Sequence, residues 1–257
     1  FTSLVPLLLA SVAAVITSYF FRETDVLFSF ELLDAWRVKD IIFYILLGVA
    51  TGIASVYFSK MYFLITRFFA WFSNAYVKIG IAALAIGLML YLFPPLYGEG
   101  YGLINNLLNG EIEAALNGIQ YQIDFNNVWI VIGILLIIAV FKAIAMTTTF
   151  AAGGVGGIFI PTLFMGSALG NSVAKVINQF GFEVSESNFT LIGMTGLMAG
   201  VLHAPLTAIF LIAEITGGYD LFVPLMLVAT ISFGFTKYFV PNSIYTAELA
   251  KRGELIT

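Results

Sequence analysis

Long apolar runs separated by short polar ones dominate this chain. Several long windows hold no Asp, Glu, Lys or Arg, among them Phe1–Phe21, Ile41–Ser59, Ile79–Tyr97, Ala143–Ala174 and Leu221–Thr236. Each approaches or exceeds the ~17–20 residues a helix needs to cross the hydrocarbon core. Cut at their glycines and prolines, the runs predict about ten helices of unequal length. The first covers Leu4–Phe20, the second Ile41–Phe69 and the third Tyr76–Phe93, with a mixed-charge segment, Arg22–Asp40, between the first two. Pro94-Pro95 stops the third. The polar connection Leu96–Asn126 carries a short helix near Leu103–Leu108. A helix over Val128–Thr148 follows, then a glycine turn and a helix opening near Ile158. Asn188–Gly200 and His203–Thr216 are two shorter helices, split near His203-Ala204-Pro205. Asp220–Phe239 is broken by Pro241-Asn242, and Ser243–Arg252 begins a last, polar-faced helix. Broken helices at membrane depth persist only where protein buries them or they line a cavity, and they build ion sites in transporters.

Composition fits that pattern. The chain is 60% hydrophobic and only 10% charged, against about 25% charged for a soluble domain. The expected class is an all-α, polytopic membrane protein. Cysteine is absent and His203 is the single histidine, so neither disulfides nor a multi-histidine metal centre is expected. A net charge of −4 excludes a broad basic face for nucleic acid. Lys60, Arg67 and Lys78 cluster after the second helix, and Lys237, Lys251 and Arg252 lie near the end. Leu96–Asn126 has Glu99, Glu111, Glu113 and Asp124 but no Lys or Arg. The positive-inside rule then puts the Lys60–Lys78 turn and the C-terminus in the cytoplasm and the acidic connection outside. The first residues are already apolar, without an initiator Met or a charged leader. This reads as an internal start rather than a signal peptide.

Three constellations carry candidate chemistry. In Gly153-Gly154-Val155-Gly156-Gly157-Ile158-Phe159-Ile160-Pro161, four glycines occupy five positions and a Pro opens an apolar helix. Glycine leaves backbone N–H groups uncovered, Pro near a helix start wastes no donor, and the two make a helix N-terminus suited to an anion. Tight helix packing is the competing explanation. The second is His203-Ala204-Pro205-Leu206-Thr207-Ala208 with Glu214 and Thr216. An ionisable residue in an apolar helix is a functional hypothesis by default. Thr216-Gly217-Gly218 instead places Glu214 beside a helix end near the interface, as a carboxylate receiving hydrogen bonds. His203 reads as a helix-start residue rather than a proton relay. The third is Tyr245, in Ser243-Ile244-Tyr245-Thr246. It is either an interfacial belt residue or a neutral hydroxyl donor to a desolvated anion.

Together these residues resemble the CLC chloride channel and transporter family. Gly156-Gly157-Ile158-Phe159-Ile160-Pro161 looks like that family's second-half G-x-F-x-P anion motif. Ala204-Pro205-Leu206-Thr207-Ala208 with Glu214 and Thr216 resembles its A-P-L-T-G … E-x-T helix, with Ala208 where Gly is usual. Ser243-Ile244-Tyr245 resembles the segment carrying its chloride-ligating tyrosine, and Gly98-Glu99-Gly100-Tyr101 its Gly-rich outer segment. The resemblance covers residues 1–257 and implies an inverted-repeat fold, of which this chain is the second half, roughly helices I to R. It implies that the backbone N–H groups of Ile158 and Phe159 and the hydroxyl of Tyr245 contact chloride, with Gly156, Gly157 and Pro161 shaping the turn. It implies a homodimer formed through helices near 1–20, 203–216 and 220–239, embedded in a lipid bilayer, here the plasma membrane of a bacterium. The family's first-half G-S-G-I-P and G-K/R-E-G-P motifs do not occur in this sequence. Those motifs carry the difference between a channel and a proton-coupled exchanger, so either remains open.

The expected function is chloride transport by a voltage-gated-type channel or a Cl−/H+ antiporter, without a cofactor. One rival is another secondary anion transporter with broken helices; the lack of a membrane-embedded Arg for carboxylates counts against an organic anion. A non-transporting dimerisation module is a second. An enzyme would need a nucleophile–base pair or a metal cluster, and with no Cys and one His none is expected.

Overall fold

A computed structural model describes residues 4–21, 35–121, 123–215 and 219–254. Most of the mixed-charge segment 22–40 and residue Thr216 lie outside these. Eleven α-helices and no strand are found among the described residues. They are α1 (Leu4–Phe21), α2 (Ile41–Ala70), α3 (Ala75–Leu92), α4 (Tyr101–Leu108), α5 (Ile112–Ala115) and α6 (Val128–Ala151). α7 (Phe159–Gln179), α8 (Glu186–Leu202), α9 (Pro205–Ile215), α10 (Phe222–Phe239) and α11 (Ala247–Arg252) follow. Short 3-10 turns occupy Val38–Asp40 and Pro94–Leu96. Five helical stretches are long and apolar enough to cross a membrane: Leu4–Phe21, Val38–Ala70, Ala75–Leu92, Val128–Ala151 and Phe222–Phe239.

The breaks fall where side-chain chemistry demands them. Asn74 and Asn127 each accept a backbone N–H two residues on, from Tyr76 and Trp129, and so start α3 and α6. Pro94 cannot continue α3, and the chain tightens into the 3-10 turn there. The largest shift of an expected boundary is at the last helix. The last helix begins at Ala247 rather than Ser243, because residues 243–246 form a hydroxyl-closed turn: Thr246 N–H donates to the Ser243 carbonyl at 3.1 Å and the two hydroxyls lie 3.1 Å apart. The four-residue α5 escaped the sequence reading, being too short to show a period.

α8 is the axle of the bundle. Its mid-section, Asn188–Val201, is buried throughout. It crosses α7 at backbone contact: a methyl group built on Gly166 would sit 2.6 Å from the Gly193 carbonyl oxygen, and one on Gly193 would sit 2.5 Å from that of Gly166. On its other sides α8 meets α2 and α10: Ser55 Oγ of α2 donates to the Leu197 carbonyl of α8 at 3.2 Å, and α2 and α10 are themselves joined where Thr236 Oγ1 donates to the Gly52 carbonyl at 3.3 Å. Small residues and hydroxyls at crossings are what membrane helices use when lipid offers no hydrophobic drive between them. α1 differs entirely, because every one of its described side chains is exposed.

Candidate functional site

The glycine turn links α6 to α7. Gly153 is left-handed, with φ of 98°. Its N–H donates to the Phe150 carbonyl at 3.0 Å, and that of Gly154 to the Thr149 carbonyl at 2.9 Å. These bonds satisfy carbonyls that the end of α6 leaves open. A Cβ at Gly154 would sit 2.9 Å from the Thr149 oxygen, so glycine is required there as well. Gly156 and Gly157 behave differently. A Cβ at Gly156 would meet only the Phe150 ring at 3.8 Å, and one at Gly157 would meet nothing within 4 Å.

α7 begins directly after this open stretch. Ile158 is its N-cap and carries no side-chain acceptor for the first turn. The first helical bond runs from Thr162 N–H to the Ile158 carbonyl at 3.2 Å, and Pro161 has no N–H. The N–H groups of Ile158, Phe159 and Ile160 therefore precede the ladder, at the positive end of a 21-residue helix. Pro161 occupies the third helical position rather than the opening one, still within the turn whose donors are unused.

Tyr245 lies on the turn before α11, 59% exposed. The phenol of Tyr62 on α2 is its electrostatic neighbour. Among the described residues, no hydrogen bond or ring contact joins Tyr245 to Ile158 or Phe159.

The second constellation resolves less dramatically. His203 ends α8 instead of starting a helix: it is the C-cap, with φ of 56°, and α9 opens at Pro205. Pro205 disfavours helical geometry in Ala204, the residue before it, so α8 stops at His203 and the chain turns before α9. The imidazole stands edge-on to Phe233 with ring centres 5.7 Å apart, and its buried Nε2 has no partner among the described residues. Glu214 is exposed and accepts a hydrogen bond from the Tyr219 hydroxyl at 3.3 Å. Its donor is thus a side-chain hydroxyl five residues on and not a neighbouring helix end, and Thr216-Gly217-Gly218 lie outside the described residues.

Sequence reasoning passed over Lys142. It sits on α6 at 4% exposure, one residue before the uncharged window Ala143–Ala174. Nζ donates to the carbonyls of Leu96 at 3.1 Å and Gly98 at 2.9 Å, and lies 4.5 Å from the centre of the Phe164 ring. Gly100, left-handed at φ of 93°, leaves no room for a Cβ against that same ring. Lys142 therefore ties the Pro94–Gly100 connection to α6, with its ammonium beside the Phe164 ring of α7. The rule that drew attention to Glu214 would have found it: one ionisable residue in an otherwise apolar helix.

Comparison with known proteins agrees with this architecture. The family model described as "Voltage gated chloride channel" matches residues 1–237. The chain is 26% identical over 254 residues to the voltage-gated ClC-type chloride channel ClcB of Escherichia coli (strain SMS-3-5 / SECEC), covering 97% of this chain and 56% of the relative. It is 26% identical over 246 residues to the H(+)/Cl(−) exchange transporter ClcA of Vibrio cholerae serotype O1 (strain M66-2), covering 93% and 49%. The fold matches a slow cyanobacterial Cl−/H+ antiporter with TM-score 0.73 at 22% identity, over 94% of this chain and 53% of that one. It matches a CLC-type fluoride/proton antiporter with TM-score 0.69 at 21% identity, over 95% and 55%. The chain spans about half the length of the curated relatives it matches. A membrane bundle of broken helices, a bare helix start after paired glycines and a family model covering nearly every residue agree: the chain belongs to the voltage-gated chloride channel (CLC) family.

Proposed function

We propose that this chain is the second half of a CLC-type membrane domain and carries one wall of a chloride pathway. The observation that carries the reading is the start of α7, where uncapped N–H groups follow two glycines whose missing side chains face open space. Phe159 and Ile158 offer backbone N–H donors to a partly dehydrated anion, and Tyr245 offers a neutral hydroxyl from the α10–α11 turn. Donors of this kind bind strongly enough to admit chloride and weakly enough to release it. A helix terminus favours anions through its dipole, and no net positive charge is needed. The transport needs no cofactor, and the residues assigned here do no covalent chemistry.

Relatives carry both names, channel and exchange transporter, and nothing assigned here prefers one. The protein is a multi-pass membrane protein, and its site of action on this reading is a bacterial plasma membrane. On the same reading the whole protein is a homodimer formed through α9, α10 and α1.

The test is chloride flux into liposomes carrying the whole protein, with and without an imposed pH gradient. Chloride entry that drives protons uphill identifies an exchanger; entry indifferent to the gradient identifies a channel. Absence of anion flux sinks the reading. Tyr245→Phe is expected to weaken chloride binding by about tenfold or more, the worth of one hydrogen bond to a charged group, in an equilibrium titration. Unchanged affinity removes the hydroxyl from the site.

A further inference from the structure

A cavity of about 480 Å³ lies where three segments meet: the turn from α4 into α5, the approach to α6 and the later part of α7. That volume falls within the range of about 300–1,000 Å³ common to small-molecule sites. Its lining is divided by chemistry. Glu111 and Glu113 are exposed and give the cavity a carboxylate rim. Among the described residues, neither of these side chains has an ion pair or a hydrogen bond. Lys175 enters from α7 with a side chain only 12% exposed. Its Nζ donates to Glu186 Oε2 at 2.6 Å, which uses one of three N–H donors. Among the described residues the other two have no acceptor. Phe125, Val128 and Val131 make the remaining side apolar.

α6 fixes the depth of this cavity. Val128 is the first residue of a helix long and apolar enough to cross a membrane, so Val128 and Val131 belong to the turn that enters the hydrocarbon. Trp129, 56% exposed on the same turn, is the kind of side chain that sits at headgroup level. The two carboxylates come from Leu96–Asn126, the polar connection without Lys or Arg. Charge therefore lines the water side of the cavity and carbon its lipid side. Carboxylates alone would draw any cation. Lys175 narrows the choice, because its ammonium repels a metal ion and has N–H groups to give to an anion.

We infer that this cavity holds the headgroup of a phosphatidylethanolamine-type lipid, its primary ammonium between Glu111 and Glu113 and its phosphate on Lys175. The acyl chains leave along Val128 and Val131 into the bilayer. A primary ammonium donates to both carboxylates, whereas a choline headgroup has no N–H to give. An anionic phosphatidylglycerol headgroup meets two carboxylates of its own sign. The inference is independent of the chloride reading, since it needs only the membrane placement of α6.

The test reads lipid binding, not flux. The whole protein is reconstituted in nanodiscs of phosphatidylcholine and phosphatidylethanolamine in equal parts, moved into mild detergent, and its retained lipid is identified by native mass spectrometry. Retention is expected to favour phosphatidylethanolamine roughly fivefold, the worth of two partly exposed ion pairs. Glu111→Gln combined with Glu113→Gln should bring the ratio close to one, and the melting temperature should not change, because neither carboxylate has a partner within the described residues. Glu113→Lys should shift the preference towards phosphatidylglycerol when that lipid is supplied. Equal retention of the two lipids by the parent, or a preference that survives either substitution, overturns the inference. Displacement of the lipid by an equal concentration of soluble phosphoethanolamine also overturns it, in favour of a water-soluble zwitterion.

Discussion

The glycines of α7 and those just before it have opposite neighbours. Gly166 and Gly170 lie within the helix and face the backbone of α8 at distances no side chain could occupy. Gly156 and Gly157 precede the helix and face almost nothing. The same residue type thus serves close packing in one place and open access in the other. A glycine count cannot separate the two roles. What separates them is whether another backbone fills the space the side chain would have taken.

Substitution turns this contrast into measurements. The largest effect is expected at Gly170, where a Cβ would collide with the Phe189 carbonyl and no flexible side chain can yield. Gly170→Leu should cost more than about 4 kcal/mol and prevent folding, seen as aggregation on a sizing column. A monomodal, folded variant would show that α7 and α8 can separate without penalty. Gly157→Leu should do the reverse. Nothing lies within 4 Å of its Cβ position, so thermal stability in detergent should change by less than about 1 kcal/mol while chloride flux falls by at least about tenfold, since the added side chain crowds the exposed N–H groups. Normal flux from a leucine variant would return this turn to a packing role.

Lys142 offers an intermediate case, a charge used for clamping. Lys142→Met leaves the carbonyls of Leu96 and Gly98 without their donor, which should destabilise by about 2–3 kcal/mol. Denaturation in mixed micelles reads this directly, and Lys142→Arg should recover part of it. A methionine variant as stable as the parent would show that the outer connection holds itself. The smallest effect concerns His203, whose left-handed φ of 56° suits glycine better than histidine. His203→Gly should be neutral to slightly stabilising, by up to about 1 kcal/mol, in the same assay. A loss above that range would mean that the ring contact with Phe233 outweighs the backbone strain.

Much of the fold is legible in the sequence, and the particular helices show why. α2, α3 and α6 appear within a few residues of their expected bounds because each is a long apolar run, and α3 and α6 also carry an asparagine cap at the start and a proline or glycine just past the end. Such signals act over three or four residues and need no partner. α5 and the turn at 243–246 were not legible. A four-residue helix has no period, and hydroxyl-to-hydroxyl closure between Ser243 and Thr246 competes with the helix that their spacing suggested. His203 is a near miss of the same kind: the break was visible, but which side of it the residue closes depends on the following proline's effect on backbone geometry.

The candidate site divides along the same line. By itself the sequence determined a polytopic helical membrane protein, an uncharged glycine turn before a helix start, and a family membership carried by motifs in order. Those properties are local or additive: hydrophobic length, backbone freedom and the missing N–H of proline. Only the tertiary structure decided that Gly157 faces open space while Gly170 faces a carbonyl, and that Lys142 reaches back to Leu96 and Gly98. Each of these depends on which distant segment comes to lie alongside. A side chain's role at a crossing is set by its neighbours across space, and the chain's own order does not state who they are.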